Sequence, residues 1–226
     1  MKSTFENKAI IGGGIYTLPD IAQIFRLPYH KVSRWIKEYW DNRLAKDFEG
    51  NYSWTDGKAR AISFHTLIEL YVFMELSNAG VKAKAILQSH KELSKLYKSK
   101  FPFATNRILS DISTDGKKIY FKFNGEELCL DGKKQFNLGF IKDFFKKIDF
   151  GNDELASRLW PLGREYSVVV DPEHHFGQPV LDGTNIVPET IYTMYKAGDN
   201  EKFIALIYGL TKKEVNDALK YCKKAA

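Results

Sequence analysis

The stretch YTLPDIAQIFRLPYHKVSRWI, residues 16–36, puts the tightest constraint on the fold. Thr17 is placed to cap a helix whose first turn holds Pro19 and Asp20, with Ile21, Ile24 and Phe25 recurring at helical spacing. Leu27-Pro28 stops it, since the residue before a proline is pushed out of helical backbone. A second helix then begins at YHKVSRWIKEYW, with Val32, Trp35 and Ile36 inward and His30, Lys31, Ser33, Arg34 and Lys37 outward. Two short helices on a tight turn, the second basic outside, is the helix-turn-helix pattern.

The next segment, NYSWTDGKARAISF, reads as a β-hairpin turning at Asp56-Gly57, its second arm carrying Lys58 and Arg60: a wing. Ser63 then caps an apolar helix carrying Leu67, Ile68, Leu70, Tyr71, Phe73, Met74 and Leu76, which ends at Asn78-Ala79-Gly80. A further helix is expected from Lys82 to Tyr97, closing a first domain over residues 1–100.

Residues 101–160 change character. ILSDIS, KIYFKF and ELCL alternate and are parted by turn residues, which predicts a small antiparallel meander. GFIKDFFKKI and DELASRLW read as connecting segments whose aromatics, Phe140, Phe144, Phe145 and Trp160, pack units together. A third unit, 161–226, opens with the strand SVVVDP. Helices follow at Pro188 to Ala197, Asn200 to Tyr208 and Thr211 to Lys223, the last started by a Thr211/Glu214 capping box. The expected class is α+β, mainly α: a winged helix-turn-helix, a β meander, and a three-helix, helix-turn-helix-like bundle with a short hairpin.

Charge is unevenly shared. The chain carries a formal +6, yet residues 1–160 hold 26 Lys/Arg against 19 Asp/Glu, and residues 161–226 hold 8 against 9. If a polyanion binds, the front is therefore the better place to expect it. Cys129 and Cys222 fit neither metal nor redox spacing, which suits thiols in a reducing compartment. With no signal-like start and no long apolar run, the expected location is cytoplasmic, away from membranes.

Several motifs lead away from catalysis. IGGGIYT lacks the Lys-Ser/Thr a phosphate loop needs. PEHHFG sets Glu173, His174 and His175 near Asp171, but no third ligand recurs at zinc spacing. No nucleophile, base and orienting group assemble, so neither enzyme activity, metal nor cofactor is expected. In GQPVLDGTNIVPETI, Gly177 and Gly183 are expected in glycine-type backbone conformations, with Thr184 or Asn185 bonding back: a rigid corner welding strand to helix.

From Asp171 to Tyr221 the chain resembles a small bacterial family described as a domain of unknown function. The matching residues are Asp171, Pro172, Gly177, Pro179, Gly183, Thr184, Asn185 (usually arginine there), Pro188, Gly198, Tyr208, Leu210 and Thr211. The front, through ISFHTLIELYVFMELSNAGVKAKAI, is similar to the winged helix-turn-helix of MerR-type regulators. Joined through PFATNRILSDISTDGKKIYF, the whole resembles the longer antitoxins of VapBC-type pairs.

That resemblance implies a homodimeric or larger antitoxin that neutralises a PIN-domain ribonuclease toxin and represses its own operon. Operator double-stranded DNA would meet Tyr29, His30, Lys31, Ser33, Arg34 and Lys37, with Lys58 and Arg60 beside the backbone. The candidate toxin contacts are Arg164, Asn185, Tyr192, Tyr195 and Tyr208. Three alternatives stay open: a regulator without a toxin, an interaction module without DNA, or DNA binding by the C-terminal bundle.

Overall fold

The Asp20 carboxylate accepts both the backbone N–H of Thr17 (2.8 Å) and its hydroxyl (2.6 Å), so the first helix, α1 (Leu18–Phe25), starts where the sequence sets its cap. The computed structural model describes residues 12–47, 51–56, 59–114, 119–123, 126–129 and 144–223. Its architecture mixes α and β, with small antiparallel sheets.

Ahead of α1 lies β1 (Tyr16–Thr17), and behind it α2 (Tyr29–Arg34). The second helix does not end there. It runs on as a π-helix, Trp35–Leu44, and a 3₁₀ turn, Ala45–Asp47. The buried residues of that extension, Trp35, Ile36, Trp40 and Leu44, recur every four to five positions, and the Ala45 N–H reaches back five residues to the Trp40 carbonyl. Apolar spacing wider than 3.6 is what a π turn aligns on one face. β2 (Ser53–Asp56) and β3 (Ala59–Ile62) form the hairpin, completed by β1 in the order β1-β3-β2.

α3 (Phe64–Asn78) is buried on nearly all sides and forms the centre of the front core. Phe73 receives the edges of Trp35 and Trp40, with ring centroids 4.9 and 5.2 Å away. α4 (Ala83–Tyr97) joins it through a wholly buried polar pair: Glu69 Oε2 lies 2.7 Å from His90 Nε2, while Glu69 Oε1 accepts the Phe103 N–H at 2.8 Å.

The middle segment departs from expectation twice. Residues 106–110 are helical, α5 (Asn106–Ser110), because Ile108 and Leu109 are both buried and only a helix turns adjacent residues toward one core. The meander then comprises β4 (Ile112–Thr114), β5 (Ile119–Phe123) and β6 (Glu126–Cys129). In place of connecting segments stand two strands, β7 (Ile148–Phe150) and β8 (Ala156–Leu159). They pair with β9 (Val168–Val170) and β10 (Pro179–Leu181) in one antiparallel sheet, β10-β9-β8-β7, where Leu159 meets Val170. The expected hairpin is half of this sheet, which crosses the boundary drawn between residues 160 and 161. Phe144 is buried, Phe145 stacks on Phe150, and Trp160 donates to Asp149; Phe140 lies outside the described residues.

Three helices close the chain: α6 (Pro188–Ala197), α7 (Glu201–Tyr208) and α8 (Lys212–Lys223). With β9 and β10 they build a second, smaller core from Val168, Leu181, Ile191, Ile204, Val215 and Leu219. Among the described residues no helix is long and apolar enough to cross a membrane.

Candidate functional site

The turn between α1 and α2 is made by Arg26, whose φ of 56° reverses the chain while Leu27 N–H bonds the Ala22 carbonyl at 2.9 Å. Val32, fully buried, anchors α2 to the core. That anchor turns Tyr29, His30, Arg34 and Lys37 into solvent, with Tyr29 54% exposed. Ser33 is half-buried, and half-buried Lys31 lays its ammonium over the Trp35 ring, 5.1 Å from its centroid. Base-edge donors and phosphate-seeking cations thus share the first turns of one helix.

Arg60 behaves differently. Its guanidinium pairs with Asp41 on the π-helical extension and donates to Ser53 Oγ at 3.0 Å, and Asp41 also accepts the Ser53 N–H at 3.0 Å. Arg60 therefore braces the hairpin against the helix. Lys58 lies outside the described residues.

The C-terminal candidates also divide. Arg164 is committed to Asp149 and to the carbonyls of Lys146 and Ile148, so it pins β7. Tyr192 and Tyr195 lie under Lys196 and Lys223, and half-buried Tyr208 packs on the small core. Asn185 is exposed on its corner. Missed by the sequence reading is α7, which presents Phe203 (44% exposed), Leu206 (81%) and Ile207 (53%) to solvent while only Ile204 is buried. The signal was present: FIALI has more apolar positions than one buried face uses.

The corner at 177–191 holds its shape as expected. Gly177 and Gly183 have φ of +87° and +72°, and the Thr184 hydroxyl donates to the Leu181 carbonyl at 2.8 Å. Its attachment is to the front of the chain: Ile15 N–H bonds the Phe176 carbonyl at 3.0 Å, and a Cβ on Gly177 would stand 2.2 Å from Tyr16 Oη. Burial, then Asp171 and Asp20, raises the Tyr16 phenol well above its ordinary range. Asp171 is occupied by Arg158 (2.8 Å), His174 Nδ1 (3.1 Å) and the Glu173 N–H (2.9 Å). A second seam joins α1 to the C-terminal helices, where Gln23 bonds Glu189 and Arg26 stands over Tyr221. Burial and Glu189 push the Cys222 thiol up to about 12.

Residues 168–222 match a family described as a protein of unknown function, DUF433. Over 226 residues the chain is 27% identical to "Putative antitoxin VapB45" of Mycobacterium tuberculosis (strain ATCC 25618 / H37Rv), covering 91% of this chain and 92% of that protein. It is 24% identical over 238 residues to "Uncharacterized protein Rv2308" of the same strain, covering 99% and 96%. The crystal structure of Rv2018 from Mycobacterium tuberculosis has the same fold, with a TM-score of 0.66 at 20% identity over 95% of this chain and all of that one.

Proposed function

We propose that this chain is the antitoxin of a type II toxin-antitoxin pair. Its front is a MerR-like winged helix-turn-helix that binds operator DNA and represses the operon. Its C-terminal unit captures a PIN-domain ribonuclease toxin. The observation that carries this reading is the likeness to "Putative antitoxin VapB45", which runs through nearly the whole of both chains.

The geometry supports the division of labour. Tyr29, His30, Arg34 and Lys37 stand in solvent at the start of a helix whose opposite face is fixed by Val32 and Trp35. A homodimer would set two such helices into successive major grooves of a palindromic operator. On the C-terminal unit, Phe203, Leu206 and Ile207 supply the bare apolar surface that the centre of a protein interface needs. DNA binding by the bundle itself is less favoured, since residues 161–226 hold 8 Lys/Arg against 9 Asp/Glu.

Truncation at residue 161 is a poor test, because removing β9 and β10 strips β8 of one of its two partners and halves the sheet. Point variants of the full chain separate the two activities. With Arg34→Ala and Lys31→Ala combined, affinity for the DNA upstream of the gene should fall and sequence choice relax, while toxin binding holds. Leu206→Glu should do the reverse. The reading fails if the neighbouring gene product does not copurify with the chain and gel shifts are unchanged by the paired substitution.

A further inference from the structure

The solvent face of the second helix continues past Lys37. Glu38, Asn42, Arg43 and Lys46 are exposed at steps of one to four residues, carrying that face along the π-helical extension. Opposite Arg43 and Lys46, α4 presents Lys84, Gln88 and Lys91, whose spacing puts them on one face of an α-helix. With buried Leu87, these residues line a cleft of about 270 Å³.

Four cations line that cleft and no carboxylate does. The Arg43 guanidinium stands 5.4 Å from the Tyr39 ring centroid, and among the described residues Arg43, Lys46 and Lys84 make no ion pair. The nearby Glu92 carboxylate accepts a hydrogen bond from Gln88 Nε2 at 2.7 Å. Like charges brought together repel unless an anion joins them. A phosphate group meets the requirement, since its oxygens accept the planar guanidinium fork together with the ammonium donors.

We infer that the cleft between the π-helical extension and α4 binds a phosphate group. In its fuller form the inference rests on the DNA-binding reading above: the phosphate belongs to the operator backbone, gripped at one end of the helix while the first turn of α2 reads base edges. The same chemistry accepts free phosphate, and the test separates the two sources.

Full-length Arg43→Ala/Lys84→Ala and, separately, Lys46→Ala are compared with the unsubstituted chain, after equal thermal midpoints show all three folded. Binding to upstream DNA and to a random duplex is measured across a salt series, and inorganic pyrophosphate is titrated by calorimetry. Each lost phosphate contact lowers the slope of log K against log salt by about 0.9, so with one phosphate in the cleft the double variant should lose about 0.9 and Lys46→Ala no more than that, with sequence preference unchanged. That result assigns the backbone phosphate. If the slopes hold but pyrophosphate binding disappears in the double variant, the cleft takes a free phosphate. Should the unsubstituted chain bind no DNA while that pyrophosphate loss is seen, the repressor reading falls and the cleft stands. Unchanged slopes with unchanged pyrophosphate heats, or no binding of either ligand, overturn the inference.

Discussion

The two ends of the molecule display opposite surfaces. In the front, His30, Arg34, Lys37 and Lys46 stand in solvent around an aromatic core centred on Phe73. In the C-terminal unit several cations are laid down, while Lys202 and Lys212 stay exposed: Lys220 sits 4.1 Å from the Tyr166 ring centroid, Lys223 lies over Tyr195, and Lys213 bonds Asp217 at 2.8 Å. There the apolar side chains of α7 face outward instead. Free cations suit a polyanion, because neutralising phosphates releases counter-ions. Bare apolar surface suits a protein partner.

Lesions in each core show whether the two ends are separate bodies. Phe73→Ala should cost about 3–5 kcal/mol and Ile204→Ala about 2–5 kcal/mol, each by opening a cavity in its own core. Because one sheet runs from β7 to β10 across both units, and Gln23 and Arg26 meet the C-terminal helices, each lesion should lower a single transition. Near-ultraviolet and far-ultraviolet dichroism during denaturation check this. Two separated transitions would make the ends independent.

Next come the surface cations. Arg34→Ala should lose about 1–3 kcal/mol of operator discrimination and leave the denaturation midpoint where it was. Lys220→Ala should do the opposite, lowering stability by about 0.5–1 kcal/mol through its lost tyrosine contact and leaving DNA affinity alone. Both variants in one gel-shift and denaturation series test whether the contrast between the ends is functional.

What could be read from sequence follows the range of the interactions. Thr17/Asp20, Gly80 and Thr211/Glu214 act within one turn of their own helix, and the helices begin and end beside them. The pairing of β7 with β8 was hidden, since three- and four-residue strands with a register shift at Asp149/Phe150 show no alternation long enough to notice. The brace made by Arg60 was hidden for the same reason. Its partner Asp41 is close in space but lies 19 residues away along the chain, on the π-helical extension. On α2 the outward residues were legible because a single buried Val32 fixes the phase. The α7 surface was legible too, had surplus apolar positions been weighed as surface and not only as core.

The smallest expected effect concerns acid. His65 lines a cleft of about 550 Å³ between α3 and β8, beside Asp153 and Arg158, and burial lowers its pKa below 6.5 despite Asp153. A lowered value means the unfolded chain binds the proton first. Stability therefore rises with pH through the interval from the folded value up to 6.5, is complete above it, and declines as pH falls below it. The slope from this residue is a fraction of the roughly 1.4 kcal/mol per pH unit that one whole proton carries. In His65→Gln that share should vanish, so denaturation midpoints compared at neutral pH and below 6.5 should converge relative to the unsubstituted chain. An equal decline in both would place the acid sensitivity elsewhere and leave the seam between the two ends without a titrating group at this position.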